Sequence, residues 1–225
     1  MPLLQGLIFD LDGTLINSAP DLGQAINAVL ATYGRRPLTQ EEVKHAVGDG
    51  MTPFIQRAFL TTGGLPENFN SNACFQAFIA QYRALPPDSA QIYPQAKETL
   101  AFYHDKKIKL GICTNKQEAA TIRLLEQLDL ARYFAFIAGG DTFPEHKPHP
   151  NHVRGVIKAL DVSPAHCVMI GDSMNDVSAA KGARIPSIVI THGYADDYAQ
   201  LGGDRLISGF EEMPQALEAL GFHLV

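Results

Sequence analysis

Past Pro86-Pro87 the chain alternates short apolar runs with amphipathic ones, and this alternation restricts it to one class of architecture. Residues 107–113, 136–138, 167–170 and 187–190 read as strands, with 206–207 as a candidate for one more. Residues 116–127, 150–160, 175–181 and 211–220 carry helical spacing. Apolar strands separated by helices predict a parallel sheet covered on both faces, an α/β fold with a Rossmann-like core. Leu7-Ile8-Phe9 has the same character and is expected to join that sheet from far upstream.

Between that first strand and the alternation lies a stretch with helix signals and almost no strand signal. Pro20 and Asp21 open a helix with apolar positions at Leu22, Ile26, Val29 and Leu30, stopping at Gly34. Thr39-Gln40-Glu41-Glu42 is a capping box, in which hydroxyl and carboxylate satisfy each other's backbone amides. That helix ends near Gly48-Asp49-Gly50, and helical spacing resumes at about 52–60 and 72–84. The expected division is therefore a core of residues 1–17 and 88–225 with a helical insertion at 18–87. Gly and Pro clusters at 62–66, 86–87 and 202–203 read as turns or hinges.

Composition narrows the classes of function. With 225 residues, 46% hydrophobic and 19% charged, the chain can bury a substantial core. Its net charge of −6 leaves no basic surplus for nucleic acid or an anionic membrane, so neither partner is expected. Cys74, Cys113 and Cys167 are scattered and odd in number, which suggests neither a disulfide framework nor a cysteine zinc site. The start, Met1-Pro2-Leu3-Leu4-Gln5, lacks the basic segment of a signal peptide, and no apolar run is long enough to span a membrane. A cytoplasmic protein is expected; its oligomeric state is not legible.

In open parallel sheets, ligands bind beyond the carboxyl ends of the strands where the strand order reverses. The conspicuous polar clusters fall at such ends: Asp10 and Asp12, then Thr114-Asn115-Lys116, then Lys147, then Gly171-Asp172-Ser173 with Asn175 and Asp176. Each has a plainer alternative. Asp10-Leu11-Asp12 can open a calcium loop, but Thr14 stands where that loop needs another acid or amide, and a strand precedes it. Thr114 and Asp172 can be simple helix caps, and Lys147 a solvated loop lysine. Together, an acidic pair, a hydroxyl, a lysine and a second acidic group make the equipment for phosphoryl transfer through an aspartyl phosphate.

On these residues the sequence resembles the haloacid dehalogenase superfamily. Asp10-Leu11-Asp12-Gly13-Thr14 matches its first motif, Thr114 the second, Lys147 the third, and Gly171 to Asp176 the fourth. The resemblance implies Asp10 as nucleophile and Asp12 as general acid and base, with Thr114 and Lys147 holding the transferring oxygens. Gly13 and Asn115 would complete the phosphate site. Mg²⁺ is the implied cofactor, held by Asp10, the backbone carbonyl of Asp12 and Asp172, with Asp176 acting mainly through the ligands or a water. Asp12 counts against dehalogenation, because dehalogenases of the superfamily lack an acid there.

The insertion resembles the superfamily's mobile cap. Asn17 to Leu22, Val47-Gly48-Asp49-Gly50 and Gly139 to Pro144 are similar to phosphoglycolate phosphatases, which implies 2-phosphoglycolate or another small phosphorylated molecule as substrate. Related mutases carry an arginine in the cap loop, whereas Gly48-Asp49-Gly50-Met51 has no basic group. Gly48, Asp49 and Gly50 are the cap candidates for touching substrate, and Arg57 is a candidate for a substrate carboxylate or an ordinary salt bridge. A metal site on His146, His149 and His152 is not supported by any zinc motif. The alternatives are a broader sugar-phosphate phosphatase or phosphomutase and, from another class, a phospho-accepting receiver module.

Overall fold

A computed structural model of the chain describes residues 3–85 and 91–223. The expected hinge at Pro86-Pro87 and the boundary between 87 and 88 lie outside the described residues. In chain order the elements are β1 (Gly6–Phe9), β2 (Ile16–Asn17), α1 (Ala19–Thr32), α2 (Gln40–Ala46), α3 (Met51–Thr61) and α4 (Ser71–Arg83). They continue with β3 (Gln91–Ile92), α5 (Ala96–Asp105), β4 (Lys109–Cys113), α6 (Glu118–Gln127), β5 (Phe134–Ala138) and α7 (Pro150–Ala159). The remainder is β6 (Cys167–Gly171), α8 (Met174–Ala183), β7 (Ser187–Ile190), β8 (Arg205–Ile207) and α9 (Met213–Ala219).

The described strands form one six-stranded sheet in the order β5-β4-β1-β6-β7-β8, every pair parallel, and a separate two-stranded ribbon of β2 with β3. β1 sits where the order reverses, because the chain adds β4 and β5 on one side of it and β6, β7 and β8 on the other. Phe9 pairs with Ile112 of β4 and Ile170 of β6, so the next residues of three adjacent strands emerge at one level.

Alternation along β1 builds both faces. Leu7 and Phe9 pack with Leu100 and Tyr103 of α5, Leu125 of α6 and Met213 of α9. Ile8 faces the other way, toward Val153 and Val156 of α7 and Ala179 and Ala180 of α8. All three β1 side chains are fully buried, and each contributes about 1.5–3 kcal/mol of hydrophobic stabilisation.

Helices α1 to α4 pack around a third apolar cluster of their own, with Ile26, Val29, Phe54, Phe59 and Phe78 at its centre. Phe54 and Phe78 meet edge to face, as do Tyr33 and Phe59. The capping box of α2 is present: Glu42 N donates to Thr39 Oγ1 at 3.2 Å and Thr39 N to the Glu42 carboxylate at 2.9 Å. The chain enters and leaves this helical block through the β2–β3 ribbon, which pairs Ile16 with Ile92 and Asn17 with Gln91.

Helix α5 and strand β3 were not anticipated by the apolar spacing, α6 begins two residues later than expected, and β5 begins two residues earlier. No helix among the described residues is long and apolar enough to cross a membrane. Replacing Thr39 by Ala is expected to lower stability by about 1 kcal/mol in chemical denaturation, because the Glu42 amide loses its acceptor.

Candidate active site

The site lies at the carboxyl ends of β1, β4 and β6. β1 releases Asp10, β4 releases Thr114, β6 releases Asp172, and the loop after β5 brings Lys147 beneath them. Asp10, Asp172 and Asp176 are all buried, and each offers a carboxylate oxygen within 4.8 Å of the others. The Lys147 ammonium, 1% exposed, lies 2.9 Å from Asp10 Oδ1 and donates to Asp176 Oδ1 at 2.6 Å. Two of the three carboxylates thus share one buried cation.

The imbalance shifts proton affinities. Burial pushes the Asp10 carboxyl up to about 6, with Lys147 opposing and Asp176 adding to the rise. Asp172 is driven well above the carboxylate range by burial and by the neighbouring Asp176 and Asp10, against hydrogen bonds from Tyr194 N and Thr14. Burial works against the Lys147 ammonium, but Asp10 and Asp176 outweigh it and hold its pKa above the ordinary lysine value.

Local hydrogen bonds fix each carboxylate. Asp172 Oδ1 accepts from the Thr14 hydroxyl and Oδ2 from Tyr194 N, both at 2.9 Å. Asp176 Oδ2 accepts from the amides of Asp172 and Ser173, at 3.2 and 3.0 Å, and from the Ser173 hydroxyl at 2.6 Å. Gly13 has φ of 85°, and a Cβ there would collide with the Asp172 carboxylate, so a glycine lets the first loop close onto the fourth motif. Asp10 Oδ1 differs from these oxygens: it is buried and makes no aligned hydrogen bond. An oxygen-only, triply acidic cluster, with Asp10 Oδ1 held by its ion pair to Lys147 alone, suits a hard divalent cation.

Asp12 does not join that cluster through its side chain. Its carboxylate pairs with Lys116 Nζ, at 3.2 and 3.3 Å from the two oxygens. Thr114 Oγ1 accepts from Lys116 N at 3.3 Å. Lys147 is positioned from behind by His152, whose Nδ1 accepts from Lys147 N at 3.1 Å; burial pushes this imidazole down to about 4, which keeps it neutral. His149 accepts from Asn151 N and caps α7.

The loop carrying Gly48 reaches the core. Gly48 O accepts from the amide groups of Asn115, at 3.0 Å, and Asn175, at 3.2 Å. Asn115 also donates to Lys147 O at 2.9 Å, and Asn175 to Asp49 Oδ1 at 2.6 Å. Gly48 and Gly50 have φ of 126° and 90°, conformations that a side chain would strain. Asp49 pairs with Arg57, which also donates to Ala46 O at 3.1 Å, so this guanidinium is held within the helical block.

Two participants were missed or left without a role by sequence reasoning. Lys116 was grouped with Thr114 and Asn115 but given no task. Tyr194 went unnoticed: its hydroxyl accepts from Ser18 N and Ala19 N, at 2.9 and 3.1 Å, while its amide holds Asp172. The strand-end argument would have found it if extended to β7, which is followed by Thr191-His192-Gly193-Tyr194.

Comparison with known proteins agrees with this geometry. The family model described as haloacid dehalogenase-like hydrolase matches residues 7–190. A phosphoglycolate phosphatase of Agrobacterium fabrum is 41% identical over 96% of this chain and 93% of its own length. Another from Rhodospirillum rubrum is 36% identical over 97% and 91%. Among solved structures, that of a predicted phosphoglycolate phosphatase from Haemophilus somnus superposes with a TM-score of 0.89 at 28% identity, covering 96% of this chain and 98% of the other.

The buried charge makes a stability prediction. The folded Asp10 pKa of about 6 lies above the unfolded value of about 3.9. The folded state therefore holds more protons in that window, and this group's contribution to stability is lost as pH rises through it. In metal-free protein, Asp10→Asn is expected to raise Tm by a few degrees at about pH 7.5, with the gain shrinking toward about pH 4. Thermal unfolding in chelator at both pH values measures it.

Proposed function

We propose that this chain, which belongs to the haloacid dehalogenase-like hydrolase family, is a Mg²⁺-dependent phosphatase of small phosphomonoesters, with 2-phosphoglycolate as the preferred substrate. The observation that carries this reading is Asp10: a buried carboxylate at the switch point of the sheet, with one oxygen free of aligned hydrogen bonds, beside a buried lysine. The names of relatives at 34–41% identity supply the substrate. The division into a core of 1–17 and 88–225 and a cap of 18–87 belongs to the same reading.

The residues divide the work. An Asp10 oxygen attacks phosphorus and the bond to the leaving alkoxide breaks; Asp12 gives that alkoxide its proton. Asp12, now a carboxylate, takes a proton from water as the water oxygen attacks phosphorus and the bond to Asp10 breaks, releasing glycolate first and inorganic phosphate second. Thr114 and Lys147 hold the equatorial oxygens, and Lys147 also screens Asp10 from Asp176. Mg²⁺, which Asp10, Asp172, Asp176 and the Asp12 main chain would hold, supplies the positive charge that offsets repulsion between phosphate and carboxylates. Asn115 acts by joining the loops of Gly48 and Lys147.

The cap excludes water from the cleft when its Gly48 loop meets Asn115 and Asn175. A receiver module has no counterpart to this cap. Three buried free thiols fit a reducing cytoplasm, and the net charge of −6 supports neither nucleic acid nor membrane as a partner.

Asp10→Asn is expected to abolish phosphate release, while circular dichroism remains that of the parent. Asp12→Asn should slow turnover of phosphoglycolate by about 10²–10⁴-fold. On an activated aryl phosphate, whose leaving group needs no proton, the same variant should accumulate a phosphoryl adduct detectable by intact mass. Near-parental turnover in either variant would remove that residue from its role.

A further inference from the structure

The cleft above Asp10 and Asp12 continues under the cap as a cavity of about 70 Å³. Its cap wall is apolar, formed by Met51, Phe54, Phe75, Phe78 and Ile79. Among the described residues that line it, Lys116 is the single cation. The Lys116 ammonium is buried beside Asp12 and lies 5.3 Å from the centre of the Tyr82 ring, and its main-chain carbonyl accepts from Gly140 N at 2.8 Å. Its contacts to Asp12, 3.2 and 3.3 Å, are longer than a strong ammonium–carboxylate bond. An ammonium carries three donors, and with Asp12 and the Tyr82 hydroxyl as partners it has capacity for one further acceptor.

The geometry sets where that acceptor would come from. A phosphoester oxygen that Asp12 protonates must approach its carboxylate to hydrogen-bond distance. Lys116, against the same carboxylate, then faces the leaving group one or two atoms beyond that oxygen. We infer that Lys116 selects the substrate by pairing with a carboxylate carried on the carbon next to the phosphoester oxygen, while the apolar cap wall rejects polyhydroxylated leaving groups. This rests on the phosphatase reading above and gives it a residue for specificity. Sugar hydroxyls against Phe75, Phe78 and Ile79 would be buried without partners. Arg57, the cap cation suggested by spacing, lines a second recess that also reaches Asp10 and Asp12, but its guanidinium is tied to Asp49 and Ala46.

The test is kcat/KM with Mg²⁺ on phosphoglycolate and on 2-hydroxyethyl phosphate, a neutral analogue of similar size. The parent protein is expected to prefer the carboxylate by about 100-fold or more, Lys116→Gln to bring the ratio within about threefold of unity, and Lys116→Arg to keep at least about tenfold. If Lys116 served Asp12 alone, Lys116→Gln would slow both esters equally and preserve the ratio, which overturns the inference. A parental ratio near unity overturns it without any variant, so a variant that fails to fold does not protect it. A ratio that survives Lys116→Gln and collapses in Arg57→Met moves selection to the cap and also overturns it. Failure to release phosphate from any phosphomonoester overturns the phosphatase reading and this inference with it, whereas equal release from both esters overturns this inference alone.

Discussion

Three carboxylates held out of water around one lysine are the constraint to which much of the structure answers. Asp10, Asp172 and Asp176 repel one another at a depth where water cannot screen them, and Lys147 offsets only part of that repulsion. Thr14, the Tyr194 amide and the amides of Asp172 and Ser173 hold two of the acids in place by hydrogen bonds. Asp10 is left undersatisfied. A fold that invested its central strand end in stability alone would place an apolar residue or a capped serine there. The retained charge is intelligible as readiness for a cation and a phosphoryl group, a case of local instability carried by a well-packed sheet.

The cap loop adds a second kind of constraint, made from uncharged groups. Gly48 offers its carbonyl to two core amides, and Asn115 in turn holds the carbonyl of Lys147. Lys147 is therefore linked through one asparagine to the loop that carries Gly48. Tyr194 makes a comparable link on the other side, between Asp172 and the first turn of α1. Both links join the helical block to the ends of the sheet by hydrogen bonds of ordinary length, which can part and re-form without separating buried charges.

The sheet and the gathering of polar groups at its strand ends are legible in the sequence because their signals are local. Leu7-Ile8-Phe9 is buried on both faces and reads so, and each acidic or hydroxyl group follows its strand directly. Strand β3 was not legible, since two residues carry no periodicity. In α5, Phe102 is exposed beside the buried Tyr103, which blurs the apolar face. The resemblance gives Asp12 a metal contact through its main-chain carbonyl and leaves its side chain for proton transfer; the direction of that side chain, toward Lys116 more than a hundred residues away, is not legible from local sequence. Gly48 contributes a carbonyl, an atom that every residue possesses, so its side-chain identity announces only the turn.

The β2–β3 ribbon brings together the two points where the chain leaves and rejoins the core, Asn17 beside Gln91. The inserted helices bury their apolar residues mainly against one another, and the sheet's strand order is complete without them. The arrangement resembles a tool on a fixed mount. A different insert with closely spaced ends can hang from the same two strands without rethreading the sheet, so the covering helices are free to change while the strand ends that carry the acidic cluster stay as they are.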